Sequence, residues 1–322
     1  MEKSASCLVL LRRFGAAVLL LPAPVFAQTG AADAAAQPRF LGPLVTGSQP
    51  LPKGLTNVEP YLISTTAAAA FDADRKRRDV DIADRWTLIL PVKYGLTDRL
   101  TVGATVRGQH NQAADGRRAL GVGDTSLNAQ YALHQGRGPH RAGWAVSIDQ
   151  QLPSGRHDRL DQTRRAGTGS GAHSTAVSTQ TQGYFLDGHL RARAAAGWTL
   201  PGGHAGIRGA SVYGTAAGFA GRARLGTTFD SSVSAEYSIN PHWTVVVEAL
   251  YERDRGTRVR GVDAFGTAVE LRSPASWRLS LLPALEYHFS DQVGVIGGVQ
   301  LGVAGRNATA VVAPQVALNM VF

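Results

Sequence analysis

The chain has 322 residues, with 33 Lys and Arg against 24 Asp and Glu for a net charge of +9, and it contains 37 glycines. Charged residues are only 18 % and the mean hydropathy is −0.08, which excludes a disordered chain and a bundle of membrane helices, and the glycine content argues against a helical bundle. Its one cysteine, Cys7, excludes a disulfide framework or a cysteine-rich zinc site.

Residues 1–27 have the pattern of a secretory signal peptide. Lys3, Arg12 and Arg13 carry positive charge, an apolar stretch follows, and the segment ends on Val25-Phe26-Ala27. The apolar stretch is short for a membrane anchor, which needs about 20 residues. We therefore predict export, with cleavage near Ala27.

Residues 28–55 are rich in alanine, proline and glycine. This composition is typical of a flexible segment. It predicts a flexible periplasmic N-terminal segment ahead of a folded region over 56–322.

Apolar and polar side chains alternate from about residue 56 to the end. Trp86 and Leu88 fall on one face of an extended chain, and Thr87 and Lys93 fall on the other. Alternation over about ten residues indicates antiparallel strands with one apolar and one polar face. We predict an all-β, transmembrane, up-and-down antiparallel barrel of about twelve strands, over 57–66, 84–95, 99–110, 121–134, 143–153, 182–195, 205–219, 226–239, 242–253, 275–289, 293–304 and 309–322. The Ala- and Gly-rich segment 205–219 is placed by position alone, so ten or fourteen strands are alternatives.

Aromatic residues fall at both ends of the predicted apolar faces. Two aromatic rows around an aliphatic band are typical of barrels in a bilayer, as is alternation between short turns and long loops. The predicted membrane-girdle aromatics are Trp86, Tyr94, Tyr131, Trp144, Tyr184, Tyr237, Trp243, Tyr251, Trp277, Tyr287 and Phe289. We therefore favour a barrel in the outer membrane of a Gram-negative bacterium over a soluble β-domain.

The chain ends on an aromatic residue, Phe322, in an alternating strand. We expect Phe322 to be the C-terminal signal for the barrel-assembly machinery. The other expected partners are outer-membrane lipid, lipopolysaccharide and a small-molecule solute, and a nucleic-acid partner is not expected.

Short motifs resemble those of a known family. Gly121-Val122-Gly123-Asp124-Thr125-Ser126-Leu127, followed by Tyr131, resembles the "G-x-G-D-x-x-L…Y" strand of the MetA-pathway of phenol degradation family of outer-membrane "transporter" proteins. Three further stretches resemble motifs of that family. Leu152-Pro153-Ser154-Gly155 resembles its "L-P-T-G", with Ser in place of Thr, and Gly167-Thr168-Gly169-Ser170 resembles its "G-T-G-S". Gly95-Leu96-Thr97-Asp98-Arg99-Leu100 resembles its first tight turn. The resemblance implies an outer-membrane barrel and a channel for small compounds, aromatic or hydrophobic ones among them. It supplies no catalytic residues.

The predicted inner face carries charges of both signs. The pore-lining candidates are Lys93, Arg107, Asp124, Asp149, Asp187, His189, Arg191, Arg193, Glu236, Glu248, Arg278 and Glu286. These charges fit a polar channel that selects solutes by field and size. They fit equally a salt-bridge network that plugs the lumen, as in a structural or adhesive barrel. The charged row of strand 182–195 is the first candidate for a constriction, and the long loop 154–181 either narrows the mouth or lies on the surface.

Enzyme signatures are missing from the sequence. It has no H-E-x-x-H, no G-x-S-x-G and no P-loop, so we predict no catalytic residues, no metal and no cofactor. A hydrolase site at the rim, pairing Ser147 or Ser280 with His189 or His288, is the lesser alternative. The sequence therefore predicts a passive, narrow, porin-like channel for small solutes.

Overall fold

A computed structural model of the chain describes residues 38–322, apart from 113–117, 137–141 and 161–166. The predicted signal peptide lies outside the described residues. The strands are β1 Thr56–Val58, β2 Tyr61–Phe71, β3 Arg77–Gly95, β4 Leu100–Gln112, β5 Arg118–Val122, β6 Thr125–Gln135, β7 Gly143–Leu152, β8 Ser174–Phe185, β9 Leu190–Pro201, β10 Ala205–Arg208, β11 Ala220–Arg224, β12 Thr228–Ser238, β13 Trp243–Asp254, β14 Arg258–Val262, β15 Ala268–Arg272, β16 Ser276–His288, β17 Val293–Arg306 and β18 Ala308–Val321. Among the described residues, no helix has the length and apolar character needed to cross a membrane.

Twelve antiparallel strands close into a barrel. Around the wall they follow the order β3-β2-β18-β17-β16-β13-β12-β9-β8-β7-β6-β4, and pairing of β4 with β3 completes the circle. Strand β1 pairs with β18 and β3, and β5 pairs with the end of β4. The predicted all-β barrel of about twelve strands is confirmed. Closure matters because a sheet edge in lipid leaves backbone groups without partners.

The distribution of side chains is the reverse of that in a soluble protein. Apolar side chains such as Leu88, Ile148 and Val247 are about half exposed on the outside, whereas Glu236 and Glu248 are fully buried inside. Such an outer face is favourable in lipid, because exposing apolar surface to water costs a free energy of about 25 cal/mol per Å². The fold is that of an outer-membrane barrel.

The two ends of the barrel differ. Short turns at 96–99, 186–189, 239–242 and 289–292 lie at one end. The chain termini of the barrel meet at this end, where Thr56 and Phe322 exchange two backbone hydrogen bonds of 2.9 and 2.8 Å. Outer-membrane barrels keep their short turns on the periplasmic side, so we call this end periplasmic and the other end extracellular.

Two predicted strands differ from the structure. The predicted strand 182–195 is two strands, β8 and β9, joined by a tight turn in which Leu186, Asp187 and Gly188 all have positive φ. Asp-Gly is a strong turn signal because both residues tolerate that conformation. The segment 205–219 is not a wall strand, because β10 and the loop after it lie above the barrel.

A four-stranded sheet, β10-β11-β14-β15, stands at the extracellular end. Its strand order matches that of wall strands β9, β12, β13 and β16, each joined to its extension by a break of three residues. The sheet therefore continues the wall above the membrane. One of its faces is apolar and packs in a cluster of Ala172, Ala205, Ile207, Phe219, Ala223 and Val259.

Candidate functional site in the barrel lumen

The N-terminal segment, residues 38–51, lies inside the periplasmic half of the barrel. Glu248, fully buried on β13, accepts the backbone N–H of Leu44 at 2.7 Å and of Thr46 at 2.9 Å. The Thr46 hydroxyl donates to the same carboxylate at 3.0 Å, and the N–H of Val45 lies 3.2 Å from it. Hydrogen bonds to an ionised acceptor are about twice as strong as neutral ones, so one side chain fixes three consecutive residues.

A second glutamate binds the segment at Leu41 and Gly42, just before the residues bound by Glu248. Glu286, fully buried on β16, accepts the N–H of Leu41 at 2.9 Å and of Gly42 at 3.2 Å. His288 lies 3.3 Å from the same carboxylate. Gly42 has a φ of +129°, a conformation that a residue with a Cβ rarely adopts, and this bend carries the chain from Glu286 to Glu248.

Further anchors fix both ends of the segment. The Thr244 hydroxyl donates to the carbonyl of Arg39 at 2.9 Å, and the Thr101 hydroxyl oxygen accepts the N–H of Leu51 at 2.7 Å. The described part of the segment predicted to be flexible and periplasmic over 28–55 is thus placed against the inner wall of the barrel. The backbone of a segment without secondary structure needs partners, and the polar inner wall provides them.

Apolar packing adds to these hydrogen bonds. Leu44 is only 6 % exposed and packs on an apolar patch inside the wall, formed by Val246, Leu250, Leu282, Ile296 and Ala317. Burial of a leucine side chain contributes about 1.5–3 kcal/mol. The segment is therefore attached by both polar and apolar contacts.

A compact charge cluster lies beside the segment. Arg191 donates its Nε–H to Glu236 at 2.9 Å and makes a second contact with the other carboxylate oxygen, while Arg193 Nε lies 3.3 Å from the same glutamate. All three side chains are buried. The ring of Phe40 lies 4.6 Å from the Arg191 guanidinium carbon and 5.9 Å from the ring of Tyr184. Two cations share one anion here, so the cluster carries one net positive charge.

Three predicted site residues occupy other places than expected. Asp187 and His189 lie in and directly after the turn 186–188, at the periplasmic end, and do not line the lumen. Tyr184 faces inward against Phe40 and is not a girdle residue. The prediction treats 182–195 as one continuous strand. Because the chain turns at 186–188, the residues before the turn face the side of the wall opposite to the predicted one.

The extracellular half of the lumen is an open cavity of about 980 Å³. Paired and single charges line it, namely Lys93, Arg107, Asp149 and Arg278 of the predicted set together with Asp230 and Glu252. Arg278 donates to Glu252 at 2.9 Å, and the Asn128 amide donates to Asp149 at 2.9 Å. The cavity wall is thus polar and carries opposed charges at short range.

A second cavity of about 450 Å³ runs beside the N-terminal segment. It reaches Arg39, Asp291 and Val321 at the periplasmic end. The two cavities share lining residues, among them Leu44, Val45, Gly47, Ser48, Tyr61 and Lys93. The segment therefore narrows the lumen, and the two cavities adjoin along it.

Asp124, a predicted pore-lining residue, instead organises the loop between β7 and β8. Its carboxylate accepts the N–H of Gly155 at 2.9 Å, the N–H and hydroxyl of Ser170 at 2.8 Å each, and the Gln151 amide at 2.8 Å. The three glycine-containing motifs at 121–127, 152–155 and 167–170 thus meet at one side chain.

Further contacts fix loop 154–181 at the extracellular end of the barrel. Its first part is fixed to the extracellular sheet, with His157 Nε2 2.7 Å from the Gly206 carbonyl and the Arg159 N–H 3.0 Å from the Arg208 carbonyl. Its last part, from Ser174, belongs to β8. The described part of the loop is therefore packed against the extracellular sheet and held by Asp124.

Outward aromatic side chains form a row at each end of the apolar band. Trp198, Phe229, Tyr251 and Trp277 follow one another at centroid distances of 5.0, 6.3 and 6.1 Å near the extracellular end. The periplasmic row includes Trp243, Tyr287 and Phe289 at 4.7 and 5.1 Å. The remaining predicted girdle residues on the outer face are Trp86, Tyr94, Tyr131, Trp144 and Tyr237. Trp198 was not predicted, because its strand was assigned to the wrong part of the chain.

The structure does not assemble the rim hydrolase pairs. The Ser147 hydroxyl bonds to Ser178 at 2.7 Å, and His189 Nδ1 lies 3.1 Å from the Ser238 carbonyl. Ser280 and His288 lie eight residues apart on one strand, about 26 Å at a strand rise of about 3.3 Å per residue. Within the described part of the chain, no group of three or more His, Cys, Asp or Glu is arranged to hold a metal ion.

Solved structures of outer-membrane proteins resemble this fold. The COG4313 outer membrane channel from Pseudomonas putida F1 matches with a TM-score of 0.66 at 15 % identity, covering 87 % of this chain and 99 % of that chain. The NanC porin matches with a TM-score of 0.45 at 9 % identity, covering 80 % of this chain and 98 % of that chain. A TodX monoaromatic hydrocarbon channel mutant matches with a TM-score of 0.41 at 11 % identity, covering 84 % of this chain and 90 % of that chain. No curated protein sequence matches this chain.

A family model supports the resemblance found in the sequence. The family described as "Putative MetA-pathway of phenol degradation" matches residues 90–312, well over half of the chain and including all three motifs that meet at Asp124. The chain is therefore an outer-membrane β-barrel that belongs to this family.

Proposed function

We propose that this barrel is an outer-membrane channel for the passive passage of small solutes, narrowed in its periplasmic half by its own N-terminal segment. The observation that carries the proposal is that the two cavities adjoin along the segment, where both are lined by Leu44, Val45, Gly47 and Ser48 of the segment and by Lys93 of the wall. The proposed route of a solute leads from the extracellular cavity past the segment into the second cavity.

The lining favours a small solute with at least one polar group. Arg107, Asp149, Arg278 and Glu252 surround the wide cavity, and fixed charges of both signs stabilise a solute dipole or charge. The family description adds aromatic compounds to the candidates. A phenol or an aromatic carboxylate fits both observations better than an unsubstituted hydrocarbon, which gains nothing from these charges.

The inner wall supports passage without a catalytic step. Its three fully buried carboxylates, Glu236, Glu248 and Glu286, are engaged by arginine side chains or by the backbone of the segment. Around the barrel we propose contacts with outer-membrane lipid and lipopolysaccharide, and recognition of the strand ending in Phe322 by the barrel-assembly machinery.

The experiment is single-channel recording of the chain from residue 28 onward, refolded and inserted into planar bilayers. We expect small, ohmic steps in salt solution and a reduction of the current by added phenol or benzoate. A folded barrel that gives no conductance would support the structural or adhesive alternative, in which the segment seals the lumen.

A further inference from the structure

The extracellular sheet has one strongly basic face. In its register Arg222 lies opposite Arg260, Arg224 opposite Arg258, and Arg258 opposite Arg272. Directly opposite residues share a face of an antiparallel sheet. The charged residues of this face are Arg208, Arg222, Arg224, Arg258, Arg260, Arg272 and Glu270. Six guanidiniums therefore stand against one carboxylate.

The single carboxylate is already shared. Glu270 accepts from Arg258 and from Arg272 at 2.7 Å each, and Arg260 lies 3.4 Å from it. These arginines hold the pKa of Glu270 below its usual value, chiefly through the hydrogen bond from Arg258. Arg222 and Arg224 are exposed on the neighbouring strand β11. Among the described residues, the face therefore keeps an excess of positive charge, which an external anion would balance.

The opposite face of the sheet shows which way the arginines point. That apolar face packs on Ala172 of the loop between β7 and β8. The same loop is tied by Ser170 to Asp124, whose carbonyl accepts from the lumen residue Arg107 at 3.0 Å. The apolar face is therefore turned toward this loop and the lumen residues it is tied to, and the arginine face is turned away from them, toward the surroundings of the barrel.

The arginine face begins just above the level of the lipid head groups. Trp277 and Phe229 belong to the extracellular aromatic row, and such rows lie at the head-group level. Arg272 and Arg224 are each five residues farther out, about 16 Å at most at a strand rise of about 3.3 Å. At the row itself, Arg253 and Arg306 lie opposite Trp277 in the sheet register and are exposed on the outer face.

We propose that the arginine face of the extracellular sheet binds the phosphate groups of the lipopolysaccharide that surrounds the barrel in the outer leaflet. Guanidinium groups bind phosphate oxygens through paired N–H donors and are the preferred side chain for this anion. The arginines line up along β11, β14 and β15, so a phosphorylated head group meets several of them at once. This inference rests on the proposed outer-membrane placement and not on conduction.

The test measures binding of lipid A to the refolded barrel in detergent by native mass spectrometry. The variant is Arg222→Gln/Arg224→Gln/Arg260→Gln, which leaves the two 2.7 Å bonds to Glu270 in place. The matched control is Arg75→Gln/Lys76→Gln/Arg77→Gln, in the turn after β2 and at the first residue of β3, which removes the same charge from the same end of the barrel. Heat-modifiable migration on SDS gels checks folding, and the single change Arg222→Glu serves if the triple variant does not fold.

We expect the face variant to bind lipid A about ten-fold or more weakly, since each basic residue near an anionic surface adds to the attraction. We expect the control to bind like the parent chain, and dephosphorylated lipid A to bind weakly to all three. Unchanged binding, an equal loss in the control, equal binding of the dephosphorylated lipid, or tighter binding of a soluble anionic glycan would each overturn the proposal. Because the face lies outside the lumen, single-channel conductance of the face variant should equal that of the parent, which separates this test from that of the channel.

Discussion

Glu248 and Thr46 are joined by two hydrogen bonds, one from the Thr46 N–H at 2.9 Å and one from its hydroxyl at 3.0 Å, both to Oε2. The two residues lie 202 positions apart, on the wall and on the N-terminal segment. An inward-facing carboxylate, which in an open barrel lines a water-filled channel, here accepts hydrogen bonds from the N-terminal segment of its own chain. We expect these hydrogen bonds to contribute to retaining the segment in the lumen.

Glu248→Gln is expected to loosen the segment. An amide offers one neutral acceptor oxygen in place of two charged ones, and a hydrogen bond to a charged group contributes about 1.5–3 kcal/mol. The chain from residue 28 onward has no cysteine, so Ser48→Cys introduces a unique reporter. We expect a thiol-reactive probe to label it about ten-fold faster or more when Glu248→Gln is added.

The matched control for this experiment is Glu252→Gln. Glu252 lies on the same strand and pairs with Arg278, and among the described contacts it has none with the segment. We expect the labelling rate of Ser48→Cys to stay at its parent value in this background. Equal labelling in all three backgrounds would show that Glu248 does not retain the segment.

Removal of residues 28–51 is expected to widen the channel. The cavity beside the segment is about 450 Å³ and the open cavity above it is about 980 Å³, so deletion joins them and adds the volume of the segment itself. The barrel keeps β1 and the hydrogen bonds between Thr56 and Phe322. We expect single-channel conductance to rise several-fold. Equal conductance before and after deletion would show that the segment does not limit ion flow.

The wall of the barrel was predictable because its signal is local. Lipid outside and water inside impose opposite preferences on successive side chains, and residues such as Trp86, Leu88 and Lys93 show this within a single strand. The turn after β8 was missed because Ser174 to Thr181 are small and polar, which resembles a loop, although Asp187-Gly188 carried a turn signal.

The N-terminal segment inside the lumen was not predictable in the same way. The contacts that place it join residues about 200 to 245 positions apart, and its sequence has no periodicity. One signal was present, since Val246, Leu250 and Leu282 interrupt the polar inner face with apolar side chains. An apolar patch inside a water-filled barrel is unfavourable unless something covers it, and Leu44 does so.

Glu236→Gln is expected to shift the channel toward anions. Glu236 lies between Arg191 and Arg193, so loss of its charge leaves two neighbouring cations in the narrow half. We expect the reversal potential in a salt gradient to change in the direction of anion permeation, with a permeability ratio altered several-fold. Arg193→Gln removes one cation from the same cluster and should shift the potential the opposite way. A shift of the same sign in both variants would exclude this cluster as the selectivity determinant.

Asp124→Asn is expected to release the loop between β7 and β8. The change replaces a carboxylate that accepts four hydrogen bonds, from Gly155, Ser170 and Gln151, by an amide with one acceptor oxygen. A buried donor left without a partner costs about 1–3 kcal/mol, and proteolysis reports the population of the opened state. We expect trypsin to cleave after Arg156 about ten-fold faster or more in folded barrels.

Asp149→Asn is the matched control, because Asp149 also faces inward but its hydrogen-bond partner is Asn128 of the wall. This variant should leave the cleavage rate unchanged. Equal cleavage in both variants would mean that the contacts of His157 and Arg159 with the extracellular sheet hold the loop without Asp124.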